Sequence, residues 1–272
     1  MAKKTKKGPG EMSFMDHLEE LRWLLVRSTI AIIICAGIAF TFSDFIFDEI
    51  IFAPKRGDFI TYQFFCDLAN KYDFDKSFCM EELPFEIQSR TLDGQFSTDL
   101  WTALTVGFIL AFPFILWEFW KFISPALYEK ERKYAVSFII FTSLLFFMGV
   151  VFGYYVIMPL SLNFLGNYNI SDVVKNDIDL NSYLSVIKTT AISCGLVFEL
   201  PIIIFFLSKI GLVTATTLRT YRRYAYVAML IISAIVTPPD IVSQAIVTIP
   251  LVILYEISIL ISARMNRKAK TE

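Results

Sequence analysis

The chain has 272 residues, of which 56 % are hydrophobic and 16 % aromatic, and its formal net charge at pH 7 is -1. This composition excludes an ordinary soluble enzyme and gives no electrostatic reason to expect a nucleic-acid partner. Six apolar stretches bounded by charged residues instead predict an all-α polytopic membrane protein with six transmembrane helices. These stretches cover residues 24–45, 100–120, 134–158, 183–207, 224–236 and 241–261.

Three segments are predicted along the chain. Residues 1–12 are rich in Lys and Gly and are expected to form a disordered basic tail. The six-helix membrane domain is predicted over residues 13–263, where Ser13 is a plausible N-cap for a helix that begins outside the membrane. Residues 264–272 form a second basic tail.

The last two helices are predicted to be short. The fifth apolar stretch covers only about 20 Å at 1.5 Å per residue, against roughly 30 Å of hydrocarbon. Pro238-Pro239 then interrupts it. A short hairpin of this kind would thin the bilayer or lie behind longer helices.

The positions of Lys and Arg predict that both termini are cytoplasmic, because basic residues next to spans stay on that side. Basic residues precede the first span, separate the second from the third and the fourth from the fifth, and follow the sixth. The segment 47–99 is therefore predicted to lie outside the cytoplasm. Acidic residues outnumber basic ones in it.

Cys66 and Cys79 both lie in this outer segment. An extracytoplasmic compartment permits a disulfide between them, and two free or metal-bound thiols are the alternatives. Cys35 and Cys194 fall inside predicted spans and are interpreted as small apolar packing residues.

Glu199 lies in the middle of the fourth predicted span, where an ionised carboxylate costs at least a few kcal/mol unless it is partnered. One interpretation is a neutral carboxyl group bonded to backbone that Pro201 leaves unpaired. The others are a proton relay and a docking point for a polar group on a transmembrane partner.

Two further polar residues follow the fifth stretch. Asp240 is placed to cap the last helix. Gln244 lies one turn further along, where a buried amide seeks a partner helix. Contact with a partner protein and internal packing are both open interpretations for Gln244.

Catalysis is poorly supported, so an enzyme, a metal site and a cofactor are not predicted. His17 is the only histidine, and neither HExxH nor GxSxG occurs. Acidic residues do gather on the predicted cytoplasmic side, at Glu19, Glu20, Glu129 and Glu131. Because a carboxylate accepts two parallel hydrogen bonds from a guanidinium group, a basic peptide is a reasonable ligand.

The ordered motifs of the chain resemble the TatC family, the multispanning receptor subunit of the twin-arginine protein translocase. The motifs are His17 to Arg22, Phe122 to Arg132, Pro159-Leu160, Ser182 to Leu184, Phe198 to Pro201, Thr237 to Gln244 and Tyr255-Glu256. The resemblance implies a receptor that recognises paired-arginine signal peptides of folded cargo and supports export driven by the proton motive force. It also implies a multi-pass protein of the bacterial inner membrane that assembles with copies of itself.

The resemblance assigns roles to individual residues. It implies a signal-peptide site formed by Glu20 and Glu131 and shaped by Arg22, Phe122, Pro125, Leu127, Tyr128 and Arg132. It implies that Thr237 and Gln244 contact single-span subunits of the TatA and TatB types, and it matches Glu199 to the intramembrane acid of the family.

Two departures from the family pattern stand out. The outer segment is longer than usual and carries Cys66 and Cys79, for which the pattern offers no role. A glutamate common in the second outer loop has Asp172 nearest to its position, with Asp177 and Asp179 as competitors. The alternative function is a proton-coupled transporter of small solutes that uses Glu199.

Overall fold

Helices make up almost all of the described structure. A computed structural model describes residues 14–72, 79, 83–124, 135–171, 177–209, 211–237 and 241–268. Within these ranges, five helical segments are long and apolar enough to cross a membrane: His17–Thr41, Gly94–Ile123, Phe138–Asn167, Leu180–Lys209 and Ser243–Arg264. They coincide with five of the six apolar stretches of the sequence.

The helices and strands are numbered here in chain order. The α-helices are α1 (Phe14–Thr41), α2 (Ser43–Phe45), α3 (Ile60–Tyr72), α4 (Gly94–Ile123), α5 (Ala135–Phe152), α6 (Met158–Asn167), α7 (Leu180–Val197), α8 (Leu200–Lys209), α9 (Ala215–Thr220), α10 (Arg222–Val236) and α11 (Ile241–Lys268). Two π-helical turns, Ile46–Ile51 and Gly153–Ile157, and a 3₁₀ turn, Ala53–Lys55, connect some of them. The strands are β1 (Glu86–Gln88) and β2 (Asp177–Asp179).

The helices form two compact units. The first contains Met1–Phe42 and Leu100–Leu144, and the second contains Ser43–Asp99 and Leu145–Glu272. In the first unit, α1 and α4 approach closely where Gly107 faces Ala36: a Cβ on Gly107 would lie 2.6 Å from the Ala36 nitrogen. Small residues of this kind allow membrane helices to pack backbone against backbone.

In the second unit, glycines also allow the third and fourth spans to meet. A Cβ on Gly149 would lie 2.6 Å from the Cys194 carbonyl oxygen, and one on Gly195 would lie 2.7 Å from the Phe146 ring. The fourth span is interrupted at Phe198 and Glu199, so that α7 ends and α8 begins on either side of them. Pro201 at the start of α8 explains the interruption, because proline has no N–H to continue the ladder of α7.

Hydrogen bonds from buried tyrosines attach the outer segment to the spans of the second unit. Tyr62 donates from its hydroxyl to the carbonyl oxygens of Pro54 and Pro159, at 3.0 and 3.1 Å. Tyr183, near the start of α7, donates to the carbonyl oxygen of Ile51 at 2.8 Å. Burial raises the pKa of the Tyr62 phenol, so it stays a donor at any physiological pH.

The all-α prediction misses the two strands. β1 and β2 pair in parallel, with Glu86 opposite Asp177 and Gln88 opposite Asp179. Strands of three residues show no usable alternation of polar and apolar residues. Their pairing also depends on a tertiary contact between distant parts of the chain.

The prediction of two short final helices is right for one of them and wrong for the other. Helix α10 has 15 residues, or about 22 Å, which is less than the hydrocarbon thickness. Helix α11 has 28 residues and continues beyond the apolar stretch to Lys268. Residues such as Ala263, Arg264 and Met265 favour a helix, so the apolar stretch ends before the helix does. The boundary placed after residue 263 therefore falls inside α11.

Candidate functional site

A cavity of about 450 Å³ lies in the first unit between the start of α1 and the end of α4. Three carboxylates and two basic groups line it together with aromatic and apolar side chains. The lining residues are Glu19, Glu20, Trp23, Leu24, Arg27, Glu118, Lys121 and Phe122. The cavity is therefore an open, mixed-charge pocket with one more acidic group than basic groups.

Glu118 is the buried acid of this pocket. Its side chain is only 5 % exposed, and its two oxygens accept from different bases: Oε2 lies 3.2 Å from Arg27 Nη1 and Oε1 lies 2.6 Å from Lys121 Nζ. The side chains of Arg27 and Lys121 are about half exposed, at 52 % and 51 %. Two charge-assisted bonds thus offset the cost of burying the carboxylate, while both bases keep contact with solvent.

Glu20 contrasts with Glu118. Its Oε2 atom is buried, and none of the described residues gives it a hydrogen-bond partner. A buried acceptor without a donor carries a desolvation penalty of roughly 1–3 kcal/mol. Glu20 is therefore the pocket acid best placed to gain from an incoming donor.

Neighbouring side chains shape the rim of the pocket. Arg22 reaches Glu19 at 3.9 Å and lies 5.8 Å from the Trp23 ring centroid, so this arginine is directed towards α1 itself. The rings of His17 and Phe122 stack with centroids 4.3 Å apart and join the first turns of α1 to the last turn of α4. No metal-ligand role was predicted for His17, and in the structure its ring packs against Phe122 at the rim of the pocket.

Glu199 lies in the second unit, at the break between α7 and α8. It is 8 % exposed, and neither carboxyl oxygen has a hydrogen-bond partner among the described residues. Its backbone carbonyl accepts from Ile202 and Ile203 at the start of α8. Of the three interpretations of Glu199, the bond from its side chain to backbone freed by Pro201 is not formed within the described structure.

Thr237 and Gln244 both bond within the helix pair α10 and α11. The Thr237 hydroxyl donates to the Ser233 carbonyl at 2.9 Å. The Gln244 amide donates to the Leu230 carbonyl at 3.2 Å. Ser233 and Thr248 add a hydroxyl pair between the same helices at 2.8 Å. This geometry matches the internal-packing interpretation of Gln244.

Comparison with known proteins identifies the family of the chain. The family profile described as "TatC: Sec-independent protein translocase protein (TatC)" matches residues 16–250. The chain belongs to the TatC family. It is thus a multi-span membrane protein of a protein-transport family, and a component of Sec-independent translocation rather than a classical enzyme. Family membership does not favour the solute-transporter alternative.

TatC relatives match over nearly the whole chain. The "Sec-independent protein translocase protein TatC" of Blattabacterium is 42 % identical over 97 % of this chain and 99 % of its own length. That of Aquifex aeolicus is 34 % identical over 95 % and 98 %. A solved structure described as "Crystal Structure of Twin Arginine Translocase Receptor- TatC in DDM" has a TM-score of 0.69 and 32 % identity, covering 90 % of this chain and 99 % of that one.

Part of the TatC site predicted from the sequence falls in the described structure. Glu20 and Phe122 line the pocket, and Arg22 lies beside it. The other expected site residues lie outside the described residues: Pro125, Leu127, Tyr128, Glu131, Arg132, Asp172 and Asp240. Of the competitors to Asp172, Asp179 caps α7 by accepting from the Asn181 N–H at 2.9 Å, and Asp177 lies in β2.

Sequence reasoning assigned no role to several charged residues inside the apolar stretches, including Arg27, Glu118 and Lys188. Glu118 lies within the second apolar stretch, and Lys188 lies within the fourth, 8 residues after Leu180. Lys188 is half-buried, and none of the described residues forms an ion pair with it. The criterion that singled out Glu199, an ionisable residue inside a span, would have found them.

Proposed function

We propose that this chain is the receptor of a twin-arginine translocase and that its pocket binds the paired arginines of signal peptides on folded cargo. The observation that carries the proposal is the buried Oε2 of Glu20, which has no hydrogen-bond partner among the described residues, in a pocket with three carboxylates and two bases. The solved TatC structures, described as those of a twin-arginine translocase receptor, support the same function.

The proposed preference for arginine over lysine rests on the geometry of the two groups. Glu118 already accepts from a guanidinium group and an ammonium group, those of Arg27 and Lys121, so the pocket holds both kinds of cation. An arginine of the ligand would meet Glu20 with a planar group that donates from several nitrogens, whereas a lysine would offer a single charged point. Glu131, outside the described residues, is proposed as the second carboxylate, so that two acids on separate elements read two arginines.

Charge distribution supports the location. We propose that the pocket and both termini lie on the cytoplasmic side of a bacterial inner membrane, because basic residues flank α1 and the predicted inner loops. Signal peptides of unexported cargo are on that side. Helix α10, which precedes α11 in the chain, is proposed to be the one span beyond the five membrane-length segments. At 15 residues it would require a thinner bilayer or shielding by neighbours.

Thr237, Gln244 and Glu199, which lie outside the pocket, are proposed to serve transport after the signal peptide is bound. Single-span subunits of the TatA and TatB types would pack on α10 and α11, near Thr237 and Gln244. Glu199, a buried acid without a described partner, is the residue proposed to link transport to the proton motive force. The working complex would contain several copies of this chain.

The proposal is tested by binding of a signal peptide with Arg-Arg, and of its Lys-Lys twin, to the purified full chain in nanodiscs. The Arg-Arg peptide should bind roughly tenfold or more tightly, because a hydrogen bond to a charged group contributes about 1.5–3 kcal/mol. Glu20→Gln should remove most of this preference. Glu86→Gln, which changes an exposed acid on β1, is the matched control and should leave the preference intact.

Two results would overturn the assignment. Equal or absent binding of both peptides to well-folded protein would remove the receptor function. A preference for Arg-Arg that survives in Glu20→Gln and Glu131→Ala would keep the receptor function but place its site elsewhere. Export of a reporter cargo in cells carrying the same variants gives the corresponding transport measurement.

A further inference from the structure

Helix α3 in the outer segment has an exposed apolar stripe. Ile60, Phe64, Leu68 and Tyr72 recur at intervals of four residues, and all four are exposed. Ile60 and Phe64, in the first two turns of α3, are 63 % and 62 % exposed. Residues four apart lie on the same side of a helix, so these side chains form one continuous stripe.

The rotation of α3 about its axis is fixed by a different side. Tyr62 and Ala69, at about 120–140° around the axis from the middle of the stripe, are buried, and Thr61 is buried in the first turn, nearer to the stripe. The Thr61 hydroxyl donates to the Tyr155 carbonyl, and the Tyr62 hydroxyl donates to Pro54 and Pro159. Because these bonds hold the helix in place, the exposure of the apolar stripe follows from the packing rather than from a loose helix.

The third side of α3 is polar. Gln63, Asp67 and Asn70 are exposed there. Cys66, joined by a disulfide to Cys79, lies about 180° around the axis from the middle of the apolar stripe, at about 100° per residue. The disulfide therefore attaches Cys79 to the side of α3 that faces away from the stripe.

The contacts of α3 place it at the edge of the hydrocarbon. Tyr155 and Pro159, which accept its hydrogen bonds, lie about 26 and 32 Å along the third span from Phe138. That distance is close to the roughly 30 Å thickness of the hydrocarbon core. Tyr183, near the start of the fourth span, bonds to Ile51 in the same segment.

We propose that α3 is an interfacial anchor whose apolar stripe is inserted into the lipid leaflet on the side of the membrane where the 47–99 segment lies. A helix at the junction of protein, lipid and water needs a side that packs on protein, an apolar side for lipid and a polar side for water. Helix α3 has all three. Lys71, 5.8 Å from the Tyr72 ring, sits at the end of the stripe where a basic side chain can reach lipid headgroups. The anchor holds the outer segment down on the bilayer next to the ends of the third and fourth spans.

The test uses the photoreactive residue p-benzoyl-phenylalanine in place of Phe64, in the full chain purified into nanodiscs of phosphatidylethanolamine and phosphatidylglycerol. Irradiation followed by mass spectrometry should give a lipid adduct at position 64. The same residue at Gln63, the adjacent polar-side position, should give none above background. Placement at Ile140, an exposed position of the third span, is the positive control for lipid contact.

Absence of a lipid adduct at position 64, with an adduct at position 140, would overturn the proposal. A cross-link from position 64 to a second copy of the chain would also overturn it, because the stripe would then be a protein interface. A lipid-soluble carbene reagent applied to the unaltered protein provides a measurement that needs no substitution. It should label Leu68 and leave Asp67 unlabelled.

Discussion

Arg27 Nη1 lies 3.2 Å from Glu118 Oε2, so a guanidinium–carboxylate pair is already present at the base of the pocket. The pair is unusual because the acid is buried and the arginine is half exposed. Together with Lys121, Arg27 gives the Glu118 cluster one net positive charge, so Glu19 and Glu20 are the remaining acids of the pocket. Arg27 and Lys121 would thus contribute to the electrostatic potential at the proposed binding site.

Substitutions at this pair are expected to change peptide binding in opposite directions. Glu118→Gln leaves Arg27 and Lys121 without their carboxylate and should weaken binding of the Arg-Arg peptide, whereas Arg27→Gln should strengthen it. One charge near a surface contributes about 1 kcal/mol, or roughly fivefold in affinity. Peptide titrations at low and high salt measure both effects, and high salt should shrink them. Weaker binding in both variants would mean that the pair only holds α1 and α4 together.

The sequence predicted the spans well because hydrophobic length is a local property. Five apolar stretches became membrane-length helical segments, and the backbone that Pro201 leaves unpaired follows from proline chemistry. Helix α3 was not predicted, since the aromatic run from Phe59 to Phe65 is compatible with either a strand or an amphipathic cap lying on the membrane. Only the contacts of Thr61 and Tyr62 with the third span settle its orientation.

The parts that could not be predicted depend on partners distant in sequence. Gln244 could bond inside or outside the protein, and the Leu230 carbonyl that accepts its amide hydrogen is visible only once α10 and α11 pack. The pairing of β1 with β2 is of the same kind. Glu118 was missed although it was visible as a charge in an apolar stretch, and its bond to Arg27 could not be read from the sequence.

Glu199→Leu is expected to stabilise the fold and reduce transport. Both carboxyl oxygens are buried without a described partner, so removing them should recover about 1–3 kcal/mol of unfolding free energy. Replacing a residue that lowers stability but is needed for function is expected to raise stability and lower activity. Thermal unfolding in detergent and export of a reporter cargo measure the two. A destabilised Glu199→Leu variant would show that the carboxyl group has a structural partner after all.

Gln244→Leu is expected to reduce recovery of single-span partner subunits in co-purification. The amide tethers α11 to α10 through Leu230, so the substitution should loosen the helix pair on which these partners are proposed to dock. The intrinsic cost is small, about 0.6 kcal/mol for a typical hydrogen bond between membrane helices. Thr248→Val removes the neighbouring hydroxyl pair with Ser233 and is the matched control. If both variants lose the partner equally, packing of the pair is what matters; unchanged recovery in both would remove this surface from the proposal.

The disulfide between Cys66 and Cys79 is expected to stabilise the outer segment. It joins positions 13 residues apart, and closing a loop of that size contributes about 3 kcal/mol by restricting the unfolded chain. Replacing both cysteines by serine should therefore lower thermal stability, whereas Cys35→Ser, at a free cysteine, should not. A mass increase by one hydrogen pair on reduction of the intact, non-alkylated protein would identify the bond directly. If the mass does not change and the double variant unfolds at the same temperature, Cys66 and Cys79 are free thiols, and the hydrogen bonds of Thr61 and Tyr62 alone hold α3 in place.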